Sequence, residues 1–357
     1  MQYTQTTVHR SPFAVILRAD GNAQMGLGHI SRCLALAEML SGEFDCIFVT
    51  KNIPESLKNQ INKVCKGLYE IPVHINTNAD EVKWIGKHLS EKGDVFILDG
   101  YHFDTDYQRA IRAQGYRLIC IDDLADKHYV ADVVINHSGG WSVKDFSAEP
   151  YTEFCLGPKY AVLKQPFLEA AKLRGKSMSE VVSPFGGGLR GRKILLCLGG
   201  ADPKNDTLHI LKKLKALNIQ EKIKVIIGAA YLHRDELEKY TSLHLPNVEL
   251  FSNIPPKKMA AVMRECPVAI LPPSTIAYEY LHVGGILFLY QIADNQKHIK
   301  RFLLQNKLTF ELDDLENLTK NDIQIATYNQ RKIFDGRSGE RIIHQIKSLL
   351  IPEEVTA

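Results

Sequence analysis

Short apolar runs of strand type alternate with helical segments, and they do so twice along this chain. In the first series, strand-like runs at 13–18, 44–50, 94–100, 116–122 and 131–136 are interleaved with helical segments at 29–41, 80–92 and 104–115. In the second, runs at 193–198, 223–230, 248–251, 268–272 and 286–292 are interleaved with helices that include 206–217 and 274–283. Parallel neighbours need a crossover long enough for a helix, so this rhythm specifies a parallel sheet wrapped by helices. Between the two series, LRGKSMSEVVSPFGGGLRGRK (173–193) is rich in Gly, Ser and basic residues and has no period, which reads as a linker. Its GGG is a poor phosphate loop, because a strand and not a helix follows. The expectation is an α/β protein of two Rossmann-like domains facing a cleft. The first spans 1–172, the linker 173–192 and the second 193–357. The last helical segment, about 337–350, is counted with the second, although its pattern suits either half.

Bulk properties narrow the class. The chain has 357 residues, with 45% hydrophobic and 24% charged, enough for a core of ordinary size in two domains. A net charge of +3 gives no bias toward nucleic acid or an anionic membrane. No run approaches the ~18 apolar residues of a membrane span. The first apolar run, FAVIL, has five residues, too short for a signal-peptide core. Seven cysteines stand singly with no CxxC pair, which argues against zinc and for buried thiols in a reducing cytoplasm.

Polar groups cluster where strands run into helices. In QMGLGHISRCLALA (24–37), Gly26 and Gly28 precede His29 at a helix start. Glycines let a large anion approach the backbone, and a helix N-terminus offers free N–H groups with about half a positive charge. The spacing is not the dinucleotide fingerprint, since Ser31 stands where GxGxxG needs glycine. His29 is either a structural cap or a group that meets substrate. The coincidence of glycines, strand end and helix start favours the second, and the helix dipole keeps a nearby imidazole neutral and able to act as a base.

Other junctions follow the same plan. Asp20 ends the first strand in RADGNA, and Asp99 and Tyr101 end another in LDGYH. IDDLAD adds Asp122 and Asp123. These carboxylates orient a histidine, bind sugar hydroxyls or simply form turns. Paired carboxylates also suit a divalent metal, but no histidine lies at ligand spacing, so none is expected. CLGGADPKN offers Gly199, Gly200 and Asn205 as a second anion cradle before a helix. LPPSTIAYE places Ser274 and Thr275 at a helix cap and Glu279 one turn further in, where a carboxylate can accept two ribose hydroxyls. ADNQKH contributes Asp294, Asn295 and Gln296. Together these junctions describe a nucleotide-sugar site with the nucleotide on the second half.

The motifs RADGNAQMGLGHISRCLALA, ILDGYH, IDDLAD, LGPKYAVLKQPF, LGGADPKN and IADNQ resemble those of the nucleotide-sugar hydrolases of pseudaminic acid biosynthesis. That family is the UDP-2,4-diacetamido-2,4,6-trideoxy-β-L-altropyranose hydrolases. The resemblance covers roughly residues 13–305. The family is similar in fold to two-domain GT-B glycosyltransferases, especially the lipid-II-forming N-acetylglucosaminyltransferase. The resemblance implies cleavage between the anomeric carbon and the diphosphate oxygen with inversion, and without metal or cofactor. It implies His29 as base for the attacking water, Tyr101 lining the sugar site and Asn295 near the sugar and diphosphate; Gly28, Asp20, Asp99 and Gln296 are the further residues expected at the sugar. Gly199, Gly200, Asn205, Ser274, Thr275 and Glu279 would hold UDP, with Glu279 on the ribose and Thr275 at the phosphates. Pro272 and Pro273 depart from the small-residue run of many relatives and remove two N–H donors. Competing readings are a GT-B glycosyltransferase with a UDP-sugar donor and a non-catalytic nucleotide-sugar-binding protein. The expected partner is a UDP-sugar, with no nucleic acid and no membrane, in a cytoplasmic monomer or weak oligomer.

Overall fold

The structure, a computed structural model, describes residues 13–21, 27–51, 53–89, 95–177 and 192–350. Gly26 and most of the expected linker lie outside the described residues, as do the side chains of Ser56, Asn295 and 174–177. The chain divides into two compact units: the described parts of Met1–Gln165 with Arg337–Ala357, and those of Pro166–Gly336.

The first unit runs β1 (Ala14–Ala19), α1 (Gly28–Leu40), β2 (Asp45–Thr50), α2 (Glu55–Val64), β3 (Gly67–Glu70), α3 (Asn78–His88), β4 (Val95–Asp99), α4 (Thr105–Ala113) and β5 (Arg117–Ile121). It continues through β6 (His128–Tyr129), β7 (Val133–Asn136), β8 (Ser147–Ala148) and β9 (Glu153–Leu156). Seven strands form one sheet in the order β3-β2-β1-β4-β5-β7-β9, and the neighbours pair in parallel. The central strands are buried on both faces, as their unbroken apolar runs require. Local signals set the helix ends. The Asp104 carboxylate accepts from Tyr107 N at the start of α4, and Gly115 takes φ +96 just after its end.

The second unit contains α5 (Gln165–Ser177), β10 (Ile194–Leu196), α6 (Asp206–Ala216), β11 (Ile223–Ile227), α7 (Arg234–His244), β12 (Val248–Ser252), α8 (Pro256–Glu265), β13 (Val268–Leu271), α9 (Thr275–Val283), β14 (Ile286–Leu289), α10 (Lys297–Gln305), β15 (Phe310–Glu311) and α11 (Lys320–Ile333). Its six strands run in parallel in the order β12-β11-β10-β13-β14-β15. Strand order reverses between β1 and β4 in one unit and between β10 and β13 in the other. In open α/β sheets that reversal leaves a crevice beyond the carboxyl ends of the strands. LDGYH and the Gly28–His29 start of α1 sit at the first switch point, and CLGGADPKN and LPPST at the second.

The division departs from the expected boundaries at both ends of the second half. Residues 165–177 are helix α5, which from Pro166 on belongs with the second unit, so 173–177 are its end and not linker. The final helix, α12 (Ser338–Leu350), belongs with the first unit and not with 193–357. The reason is packing: Gly339 lies against the Met39 side chain of α1, Lys347 pairs with Glu43 at 2.8 Å, and Arg341 donates to the Lys159 carbonyl at 3.2 Å.

Candidate functional site

The site is built on α1. Gly28 opens the helix, and a Cβ there would meet nothing within 4 Å, so no internal packing demands glycine at this point. No acidic residue stands in the first turn, and no side chain caps it. His29 is buried, and its Nδ1 lies 2.7 Å from Asp99 Oδ1. Asp99 ends β4 directly across from Ala19 of β1, and it is fully buried. An ionised carboxylate only accepts, so in a neutral imidazole bonded to it Nδ1 carries the proton and Nε2 the lone pair. Nε2 has no hydrogen-bond partner among the described residues. The Tyr101 ring meets the imidazole edge-on, with centroids 4.7 Å apart, and is itself half exposed.

Arg32, one turn along α1, is not among the expected site residues. It donates to both Asp99 oxygens at 2.7 and 2.6 Å and to both Asp123 oxygens at 2.6 and 2.9 Å. Burial alone would lift the Asp99 carboxyl, but Arg32 and then His29 outweigh it and hold the group below the ordinary carboxylate range. Asp123 feels the same opposition of burial and Arg32 and is held down at about 2. The space between the two carboxylates, where a metal cation would have to sit, is therefore filled by a guanidinium. All seven cysteines are buried and free, and burial pushes the thiol of Cys33 well up, with the Asp99 charge adding to it.

Asp20, expected at the sugar, and Asp122, read either as a site carboxylate or as a turn former, both make internal bonds. Asp20 accepts from Arg18 at 2.5 and 2.8 Å and from Lys51 N at 2.8 Å, and pairs with His102 at 3.2 Å. It ties the end of β1 to the residues that follow β2 and β4. Asp122 accepts from Leu124 N, Ala125 N, Tyr129 and Asn136, which makes it the organiser of the β5 and β7 ends.

His137, just past β7, is a second group that sequence reasoning misses. Burial, reinforced by the Arg32 charge, holds its imidazole down at about 4. Its folded value lies below its ordinary 6.5, so the unfolded chain binds the extra proton first as pH falls. Stability should therefore be intact above pH 6.5 and fall by about 3 kcal/mol toward pH 4. Urea unfolding at pH 7 and pH 5 should show most of that loss in the wild type and little in His137→Gln.

In the second unit the two expected anion cradles differ. Gly199 takes φ +96, and a Cβ at Gly199 or Gly200 would meet open space. The neighbouring α6 start, however, is already capped: Asp202 accepts from Asp206 N and Thr207 N at 2.8 Å each, and Asp206 adds a second carboxylate to the turn. Asn205 is committed as well, donating to Glu236 at 2.9 Å and accepting from Tyr231. Asp202 thus takes the first donors of α6, and Asn205 spends its oxygen and one amide proton inside the unit. At α9, by contrast, Ser274 is the N-cap residue without a side-chain cap bond, Thr275 is exposed, and no acid stands in the first turn. Pro272 and Pro273 precede the cap, so the helix keeps its own first donors. Glu279 lies half-buried one turn in, and its charge reaches Cys197 at the Gly199 turn. The Gln296 carbonyl oxygen accepts from Ile292 N at 2.9 Å and folds its own loop, and Asp294 pairs with Lys297. The side chain of Asn295 lies outside the described residues.

No known family profile matches the chain. An uncharacterized protein of Methanocaldococcus jannaschii is 28% identical over 78% of the chain, which spans 55% of that protein's length. The UDP-2,4-diacetamido-2,4,6-trideoxy-β-L-altropyranose hydrolase of Campylobacter jejuni is 26% identical over 75% of the chain and 87% of its own length. The chain resembles this trideoxyaltropyranose hydrolase. The resemblance carried by six short motifs thus extends across most of the sequence. Among solved structures, MurG of Acinetobacter baumannii superposes with a TM-score of 0.60 over 94% of this chain and 100% of its own, at 14% identity. That likeness concerns the fold, and with the hydrolase's it gives two Rossmann-like α/β units of the GT-B kind. Among the described residues no helix is long and apolar enough to cross a membrane.

Proposed function

We propose that the protein hydrolyses a UDP-activated 2,4-diacetamido-2,4,6-trideoxyhexose to UDP and the free sugar, as a step in pseudaminic (nonulosonic) acid biosynthesis. The observation that carries this reading is the His29–Asp99 pair, with Nδ1 bonded to a buried carboxylate and Nε2 left to accept a proton. In this reaction Nε2 takes a proton from water, the water oxygen attacks the anomeric carbon, and the bond from that carbon to the diphosphate oxygen breaks. Attack on the face opposite the leaving group inverts the centre. The proton moves toward an imidazole whose positive charge Asp99 then balances.

The likeness to the Campylobacter hydrolase supports the substrate class. Gly28 and Tyr101 would border the sugar, and Asn295 and the Gln296 amide are the sugar-binding groups proposed for the second unit. The diphosphate would take the α9 start, at Ser274 and Thr275, where donors are uncapped and no carboxylate repels it. Gly199 and Gly200 would let the nucleotide lie close to the backbone, and Glu279 would accept the ribose hydroxyls. A positioned base contributes about 10²–10⁴ in rate, and the rest comes from holding water and diphosphate in line.

The test is incubation of the intact chain with the UDP-sugar and no acceptor, following UDP and free sugar together. Equal release of both is expected. UDP release only after an alcohol is added would assign the chain to glycosyl transfer, and binding without turnover would make it a nucleotide-sugar carrier.

A further inference from the structure

We propose that Arg32 is the positioning residue of this site: by clamping Asp99 and Asp123 together it keeps Asp99 an acceptor for His29 Nδ1, and so decides which imidazole nitrogen carries the proton. The inference rests on the reading of His29 as base but concerns a different property. Arg32 Nε and Nη2 bind the two Asp99 oxygens at 2.7 and 2.6 Å, and Nη1 and Nη2 bind Asp123 at 2.6 and 2.9 Å. A forked, planar cation can hold two carboxylates in fixed directions, which an ammonium cannot.

The groups that face Asp99 among the described residues come from four places. They are His29, Arg32 and Cys33 of α1, Tyr101 after β4, Asp123 after β5 and His137 after β7. Arg32 is the cation that lies against both carboxylates of this set. Without it, full burial favours the neutral acid at Asp99. A protonated Asp99 donates to Nδ1 instead of accepting from it. The imidazole proton then moves to Nε2, and the lone pair that should meet water is lost. Asp123 also accepts from the Tyr101 hydroxyl at 3.4 Å, so the same clamp holds the ring that lies against His29.

The experiment reads the tautomer directly, by ¹⁵N NMR of the intact chain with labelled histidine, His29 being assigned by loss of its signals in His29→Asn. At pH 7 the wild type should show His29 with its proton on Nδ1. In Arg32→Gln the majority form should carry it on Nε2, and the low-pH limb of kcat should move up by about one pH unit or more as Asp99 must be re-ionised. Arg32→Lys keeps a cation and should fall between the two. A wild-type proton on Nε2 overturns the proposal even if Arg32→Gln does not fold. So does an Arg32→Lys or Arg32→Gln protein in which kcat is scaled down with tautomer and limb unmoved. The tautomer is read without substrate. A His29→Asn protein that hydrolyses at the wild-type rate would therefore overturn the role of His29 as base, while the spectra alone still decide whether Arg32 sets the tautomer.

Discussion

His29→Asn should lower acceptor-free UDP release by about 10²–10⁴-fold in kcat, with KM for the UDP-sugar changed little. Asparagine is close in size to imidazole and can keep a hydrogen bond to Asp99, so the buried carboxylate stays paired. What it lacks is a nitrogen lone pair that takes a proton from water. The effect belongs in kcat because proton transfer develops in the transition state and not on binding. Thermal unfolding of the variant should match the wild type to within a few degrees, since the Arg32 bonds to Asp99 and Asp123 remain. Steady-state rates with purified substrate check this. A wild-type rate would take His29 out of the chemistry, and an equal rise in KM would make it a binding group.

Arg18→Met should cost about 3–5 kcal/mol of stability by urea unfolding, the largest single loss expected in the first unit. Arg18 is on β1 and almost wholly inside, bonded to Asp20 on one side and to Glu81 at 2.9 Å on the other. Burial works against its charge, yet Tyr107, Asp20 and Glu81 outweigh that and raise its pKa. The Phe103 ring lies 5.1 Å from the guanidinium carbon. Methionine fills the volume but leaves two carboxylates without their cation, and an uncompensated buried charge is far costlier than a lost surface pair. Asp20 also holds Lys51 N and His102, so the damage reaches the residues that follow β2 and β4. A loss under about 1 kcal/mol would mean that Lys51, already 3.6 Å from Glu81, takes over the cation's part.

The two-fold βα rhythm makes both sheets legible, because apolar runs bounded by polar junctions can be read from neighbours in sequence. The same holds for His29, Asp99 and Tyr101, which stand where strand ends meet turns. The residues that local sequence does not reveal are those whose partners are far away. Arg32 falls on the polar side of a helical repeat and looks solvated, yet its carboxylates lie 67 and 91 positions on. Arg18 looks like the end of an apolar run, and nothing local announces Glu81 63 positions later. ADPKND reads equally well as an anion cradle and as a turn that caps its own helix, and only the Asp202 bonds decide for the second. Helices α5 and α12 show a further limit: an apolar stripe says that a helix is covered, and not which sheet covers it. Here α12 packs on α1 of the first unit, while α5 falls with the second, where Gly336 lies against Ala171 and the Leu168 carbonyl.

Attack by water at the anomeric carbon fixes where an oxygen label from the solvent ends up. The intact protein is incubated with the UDP-sugar in ¹⁸O-water without acceptor, and both products are weighed by mass spectrometry. One ¹⁸O is expected in the C1 hydroxyl of the free sugar and none in UDP. Label in the phosphate, with an unlabelled sugar, would contradict it.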